Sequence, residues 1–195
     1  LSHKGYIKRL SSDTYRTQNR GGRGIKGMSL NEDDETKQNI SMSTHDWLLI
    51  FSNKGKVYRL KGYRVPESSR SAKGLPIVNL VDFDKDEHVQ TMVSLKVQNE
   101  DAKYAFFVTK NGIGKRVAIE EFANIRQSGK IAINLTEGDE LIDVKVTHGN
   151  DDVIIGATNG KAVRFNENAV RAMGRNASGV KVINLDGASV VGAAI

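Results

Sequence analysis

A four-fold internal repeat constrains this chain more than any other feature. Glycine is followed four positions later by arginine at Gly5/Arg9, Gly55/Arg59, Gly112/Arg116 and Gly160/Arg164, the glycines being spaced by 50, 57 and 48 residues. A second arginine (Arg20, Arg70, Arg126, Arg175) follows each first one after 11, 11, 10 and 11 residues. Then comes a glycine with a cation close by: Arg23-Gly24, Lys73-Gly74, Gly129-Lys130, and Gly179 with Lys181. An acidic turn stands ten residues beyond the first three of these glycines, at Asp34, Asp84 and Asp139, with Asp186-Gly187 in the fourth unit. Internal periods of about 40–50 residues mark blades or arrays, in which each unit buries its apolar face only against its neighbours.

Each unit reads as four short strands. The second shows Trp47–Phe51, a turn at Asn53-Lys54-Gly55, Lys56–Lys61, Pro76–Phe83 and Val89–Val97. The third repeats this with Tyr104–Thr109, Ile113–Ala118, Ile131–Thr136 and Leu141–Thr147. Val89, Thr91, Val93, Leu95 and Val97 alternate with more polar residues, the period-two mark of a strand with one buried face. Asn111-Gly112 and Asn159-Gly160 suit two-residue hairpins in which both turn residues take positive φ. Helical signal is confined to Ile119–Ile125 and Asn166–Met173, a turn or two each. The chain is therefore all-β: one domain over residues 1–195, in four-stranded antiparallel, propeller-like blades at about 1–45, 46–102, 103–149 and 150–195. It opens without Met in what reads as a strand end, which predicts a piece of a larger domain.

Charge follows the same period. Residues 1–30 hold seven basic side chains and one acid, residues 54–73 carry +6, and residues 137–159 carry −5, against a net charge of +6 for the chain. Alternating blocks allow the basic halves to form one continuous surface. There is no cysteine, and no apolar run approaches the roughly 20 residues of a membrane span. Aromatic residues make up 6%, with Trp47 the single tryptophan, too few for the aromatic face of a protein-binding propeller.

The connecting loop of the first unit differs from the others. Gln18-Asn19-Arg20-Gly21-Gly22-Arg23-Gly24-Ile25-Lys26 interleaves cations with glycines, so that backbone amides and guanidinium groups can meet a phosphate closely. The rival readings are a tight turn alone and an RGG-like contact to RNA, the latter weak for a single copy. Ser69–Gly74 is the nearest counterpart in the other units.

The run QNRGGRG resembles the gyrase box, the signature of the C-terminal domain of the bacterial DNA gyrase A subunit, and the resemblance extends through the Gly…Arg units along the chain. Gln18, Arg20, Gly21, Gly22 and Gly24 follow the consensus, while Asn19 and Arg23 are variations on it. The resemblance implies a β-pinwheel of about six blades with strands exchanged between neighbours. Its basic rim wraps duplex DNA in a right-handed sense and feeds it to a cleavage core, so that ATP-driven strand passage introduces negative supercoils. Four units instead of six again predict a partial domain.

On this reading the box residues Gln18, Asn19, Arg20, Gly21, Gly22, Arg23, Gly24 and Lys26 bind DNA, and Arg16, Arg70, Lys73, Arg126, Lys130, Arg171, Arg175 and Lys181 form the rim. The resemblance also implies a non-catalytic domain without a cofactor or metal of its own, ATP and Mg²⁺ being bound elsewhere in a topoisomerase. Its partners would be double-stranded DNA, the gyrase B subunit, and the cleavage core of the gyrase A subunit, in the nucleoid region of the cytoplasm. The topoisomerase IV counterpart is the alternative; its box is usually absent or degenerate.

Two readings stay open for Arg9, Arg59, Arg116 and Arg164: structural anchors on blade carbonyls or acidic turns, or ligand contacts. The acidic runs Glu32–Glu35 and Asp84–Glu87 read as solvated turns opposite the rim. The four histidines lack metal spacing, Thr44-His45-Asp46 is too compact for a catalytic triad, and Gly112-Ile113-Gly114-Lys115 lacks the spacing and helix of a phosphate loop.

Overall fold

A computed structural model describes residues 1–12, 34–96, 101–126 and 128–195. Thirteen strands follow one another along these residues: β1 (Tyr6–Ile7), β2 (Trp47–Ser52), β3 (Lys56–Lys61), β4 (Leu75–Pro76), β5 (Val89–Leu95), β6 (Tyr104–Thr109), β7 (Ile113–Ala118), β8 (Lys130–Ile131), β9 (Leu141–Thr147), β10 (Asp152–Ala157), β11 (Ala162–Asn166), β12 (Val180–Lys181) and β13 (Val190–Ala194). All pairings between them are antiparallel.

The two long hairpins of the second and third units form where the sequence places them, but β2 and β6 are buried on both faces, β5 packs Met92 into one core and Val93 and Leu95 against another instead of burying a single face, and the turns differ. Gly55, Gly112 and Gly160 take φ of 79°, 85° and 80°, whereas Asn111 and Asn159 do not enter the left-handed region. The Gly55, Gly112 and Gly160 amides donate to Ser52, Thr109 and Ala157 carbonyls at 3.1 Å, closing three-residue turns in which glycine alone is left-handed. Every inner strand also carries a bulge at the same place, opposite Phe51/Ser52, Val108/Thr109 and Gly156/Ala157.

The third expected strand of each unit is the main correction. Of Pro76–Phe83 only Pro76 belongs to a strand, and Ile77–Asn79 forms a 3₁₀ turn; of Ile131–Thr136 only Ile131 does. These short strands pair with the preceding unit: β4 with β1, β8 with β3 and β12 with β7. The resulting sheet orders are β5-β2-β3-β8 and β12-β7-β6-β9, with β11-β10-β13 in the fourth unit. Ile77, Val81 and Ile133 are buried because they fill the space between facing sheets, where no ladder is needed. The helical segments shrink to 3₁₀ turns at Ile119–Phe122 and Glu167–Ala169.

One core lies between each pair of facing sheets. Phe51, Phe107 and Phe122 centre the one between the second and third units, Phe51 meeting Phe107 edge-on at 5.4 Å. Phe106, Val153 and Ile155 centre the next. Strands β5, β9 and β13 neighbour one another at the inner edges of their sheets. Side chains stitch those edges: the Gln38 amide pairs with the Met92 backbone, Gln90 Nε2 donates to the Ile142 carbonyl, and Asp143 accepts from the Ala193 amide. The opposite edges, bearing β8 and β12, consequently face outward.

Candidate nucleic-acid interface

The connections that hand a strand to the preceding unit run along this outer edge. Those at 62–74, 119–129 and 167–179 occupy equivalent places and carry the second arginine of each repeat. Arg70, Arg126 and Arg171 are exposed on them, and Lys130 and Lys181 sit on the outermost strands β8 and β12, Lys181 exposed. Lys73 is half-buried, its ammonium 4.1 Å from the centre of the Tyr6 ring. Arg175 is half-buried and turned back: its amide donates to Glu121, and its guanidinium donates to the Ile131 carbonyl at 3.2 Å. An open depression of about 700 Å³ lies beside it, lined by Glu121, Gly174, Arg175, Asn176 and Ala177. Arg16 and the box residues Gln18, Asn19, Arg20, Gly21, Gly22, Arg23, Gly24 and Lys26 lie outside the described residues.

In the first three repeats the first arginine is an anchor. Arg9 Nε donates to the Val65 carbonyl and Arg116 Nε to that of Val170, both at 2.9 Å, and Arg59 donates to the Ala123 carbonyl. Each therefore grips the following unit. Arg116 also pairs with Glu167 at 3.1 Å; that carboxylate is fully buried and accepts from Thr147 Oγ1 and the Gly149 and Asp151 amides. Arg164 pairs instead with Asp152 of its own unit at 3.0 Å.

The neighbouring lysines escaped the sequence reading. Lys8 Nζ contacts the Ser69, Arg70 and Ala72 carbonyls at 2.9, 2.7 and 2.8 Å. Lys115 Nζ does the same to Gly174, Arg175 and Ala177 at 3.0, 2.8 and 2.8 Å. Their only signal in the sequence is a lysine directly before the anchor arginine in the first and third units. In the second unit Tyr58 stands there; its ring packs so closely on Gly129 that a β-carbon would come within 2.5 Å of it. Burial and the hydrogen bond to Glu87 hold the Tyr58 phenol well above its ordinary pKa, so it stays neutral. Gly74 and Gly179 pass equally close to the Ile7 and Gly114 carbonyls at φ of 94° and 98°, which accounts for the third repeated landmark.

The acidic turns are less solvated than expected. Asp34, Glu87 and Asp139 are buried. Asp34 accepts the Lys4 and Glu35 amides, and Asp139 the Asn111 and Glu140 amides, so these carboxylates fasten the hairpin ends of the first and third units. Lys56 and Lys161 are paired there with Asp84 and Asp186. Asp46 accepts the Ser43 amide, which makes Thr44-His45-Asp46 a turn. Among the described residues no three His, Asp or Glu side chains converge as metal ligands, and no helix is long and apolar enough to cross a membrane.

The profile of the family described as "DNA gyrase C-terminal domain, beta-propeller" matches residues 1–36, 46–96, 103–148 and 151–195. The chain belongs to this family. It is 51% identical over 193 residues to the DNA gyrase A subunit of Staphylococcus epidermidis, covering 98% of this chain and 22% of that protein. The chain thus spans about a fifth of the length of the curated relatives it matches. A solved structure of a DNA gyrase A C-terminal domain superimposes with a TM-score of 0.78 at 29% identity, over 99% of this chain and 62% of the other. The C-terminal domain of a DNA topoisomerase IV gives 0.81 at 28% identity, over 99% and 58%. Backbone geometry thus suits both kinds of gyrase-family C-terminal domain.

Proposed function

We infer that this gyrase C-terminal domain wraps duplex DNA around its outer edge, so that ATP-dependent strand passage by the whole enzyme introduces negative supercoils. One observation carries this reading: the basic connections of successive units share the outer edge of the sheets, while the hairpin-end lysines Lys56 and Lys161 are neutralised by acids. Cations spaced along one perimeter suit a phosphate backbone, which offers a charge about every 1.7 Å of duplex and needs no base readout. On this reading Arg70, Lys73, Arg126, Lys130, Arg171, Arg175 and Lys181 form the rim together with Arg16, and Gln18–Gly24 with Lys26 form the fixed clamp. Residues 1–195 act as one domain, with blades at 1–45, 46–102, 103–149 and 150–195. The domain is non-catalytic and uses no cofactor; ATP and Mg²⁺ serve other parts of the enzyme. Its partners are DNA, the gyrase B subunit, and the cleavage core of the gyrase A subunit, in the bacterial cytoplasm. The intact QNRGGRG run favours gyrase over topoisomerase IV, a distinction the shared fold does not make.

Salt dependence tests this directly. A rim that neutralises about 6–8 phosphates gives a slope of log K against log salt of roughly −5 to −7 for duplex binding. Affinity that stays nearly flat between about 50 and 200 mM salt would contradict wrapping and point to a protein partner.

A further inference from the structure

The same cage occurs twice, at equivalent positions of two different units. In each, one lysine ammonium takes carbonyl oxygens at positions i, i+1 and i+3 of the next unit's basic connection: Ser69, Arg70 and Ala72 around Lys8, and Gly174, Arg175 and Ala177 around Lys115. Both connections carry the same internal bond, from the Ala72 amide to Ser69 and from the Ala177 amide to Gly174. Where tyrosine replaces the lysine, at Tyr58, the connection received is two residues shorter: Gly129 follows Arg116 by 13 residues, where Gly74 follows Arg59 and Gly179 follows Arg164 by 15. Three converging carbonyls repel one another unless a cation or several donors lie between them, and an ammonium has three donors.

We propose that Lys8 and Lys115 are positioning residues for DNA, each fixing the backbone of the following unit's basic connection and hence the direction in which its arginine is presented. The proposal rests on the wrapping function above. It also means that two of the chain's 29 basic side chains are spent on backbone carbonyls and meet no phosphate.

Lys115 is fully buried. Burial pushes its pKa down to about 8; Glu121, from the turn after β7, pulls it up, and Arg175, on the caged connection, pushes it down again. The Phe107 ring lies on its other side at 5.7 Å. Raising pH through about 8 therefore leaves a neutral amine with too few donors for three carbonyls. The fold as a whole is not weakened by that loss of charge. A lysine pKa lowered in the folded state makes stability rise with pH between the folded value and the ordinary 10.5, because the cost of a buried cation disappears. Loop geometry and global stability should thus move in opposite directions.

Two measurements test the proposal. The first is a double-mutant cycle on duplex affinity with Lys8→Met and Arg70→Ala. Each single change should weaken binding roughly three- to tenfold. The double variant should match the weaker single within about twofold, because Lys8 acts through Arg70. Multiplying effects would mean that Lys8 meets DNA itself, and would overturn the proposal. The second uses no DNA: amide exchange at Ala177, corrected for intrinsic rate, across pH 7 to 10 (roughly two units around the Lys115 value). Protection should fall above about pH 8 in the wild-type chain, with its melting temperature unreduced, and be lost at every pH in Lys115→Met. Protection that is independent of pH and of Lys115 would overturn it. If wild-type chain fails to bind duplex while this protection follows pH as expected, the wrapping function falls and the cage stands.

Discussion

On the proposed wrapping function, replacing Arg20, Arg23 and Lys26 together with alanine should abolish negative supercoiling by the whole enzyme, while ATP-independent relaxation should survive. These three cations lie in the one connection where arginine and closely spaced glycine coincide. A wrap needs a fixed point at which the duplex is clamped, and the remaining rim, with one or two cations per unit, guides DNA between clamps. On that proposal the crossing would lose its sign without the clamp, while cleavage and religation, assigned to another part of the enzyme, would continue. Bulk affinity of the isolated chain should fall only moderately, because the other units still meet phosphates. Removing the same number of charges as Arg70→Ala, Arg126→Ala and Arg175→Ala should leave a reduced rate of supercoiling. Arg175 is already committed in part to Glu121 and the Ile131 carbonyl, which lessens the loss. Equal loss in both triples, read by gel electrophoresis of plasmid topoisomers, would mean that total charge decides the function. Loss of relaxation in the box triple would place these residues in the cleavage step.

Arg116→Met should destabilise the fold by about 3–5 kcal/mol, because it leaves the Glu167 carboxylate buried without its cation. That is a large share of a typical domain's total stability of about 5–15 kcal/mol. The anchor bond to the Val170 carbonyl is lost as well, and with it the grip of the third unit on the fourth. Adding Glu167→Gln removes the stranded charge and should recover part of the loss; the carboxamide oxygen can still accept from Thr147 or the 149–151 backbone. Denaturant midpoints of the single and double variants measure this, given an unchanged m-value. Arg164→Met makes the contrast: its ion pair with Asp152 is exposed, and its loss should cost less than about 1 kcal/mol.

The hairpins could be read from sequence because glycine at Gly55, Gly112 and Gly160 and the short apolar runs before it are local signals. The exchanged strands could not. Ile77, Leu80 and Val81 look like strand because they are apolar, Ile77 and Val81 being β-branched as well, yet that preference records burial against a facing sheet, and the ladder position beside β3 is filled by β8 of the next unit. Burial of Asp34, Glu87 and Asp139 has no local signal for a similar reason: each accepts from backbone amides, which no side-chain pattern reveals, and Glu87 from the Tyr58 phenol 29 residues away as well. Lys8 and Lys115 counted as surface charge, since a cage of carbonyls has no signature in the residues that supply it. The regular recurrence of Arg9, Arg59 and Arg116 was visible, and its meaning is the contact each makes one unit onward.

Wrapping itself is tested most directly by topology. Nicked circular DNA is ligated in the presence of the 195-residue chain, stripped of protein, and its linking-number distribution compared with circles closed alone. A right-handed wrap around the outer edge shifts the distribution to positive values in proportion to bound protein, and the shift disappears in the box triple. A distribution unchanged at saturating protein, or one shifted to negative values, would contradict it.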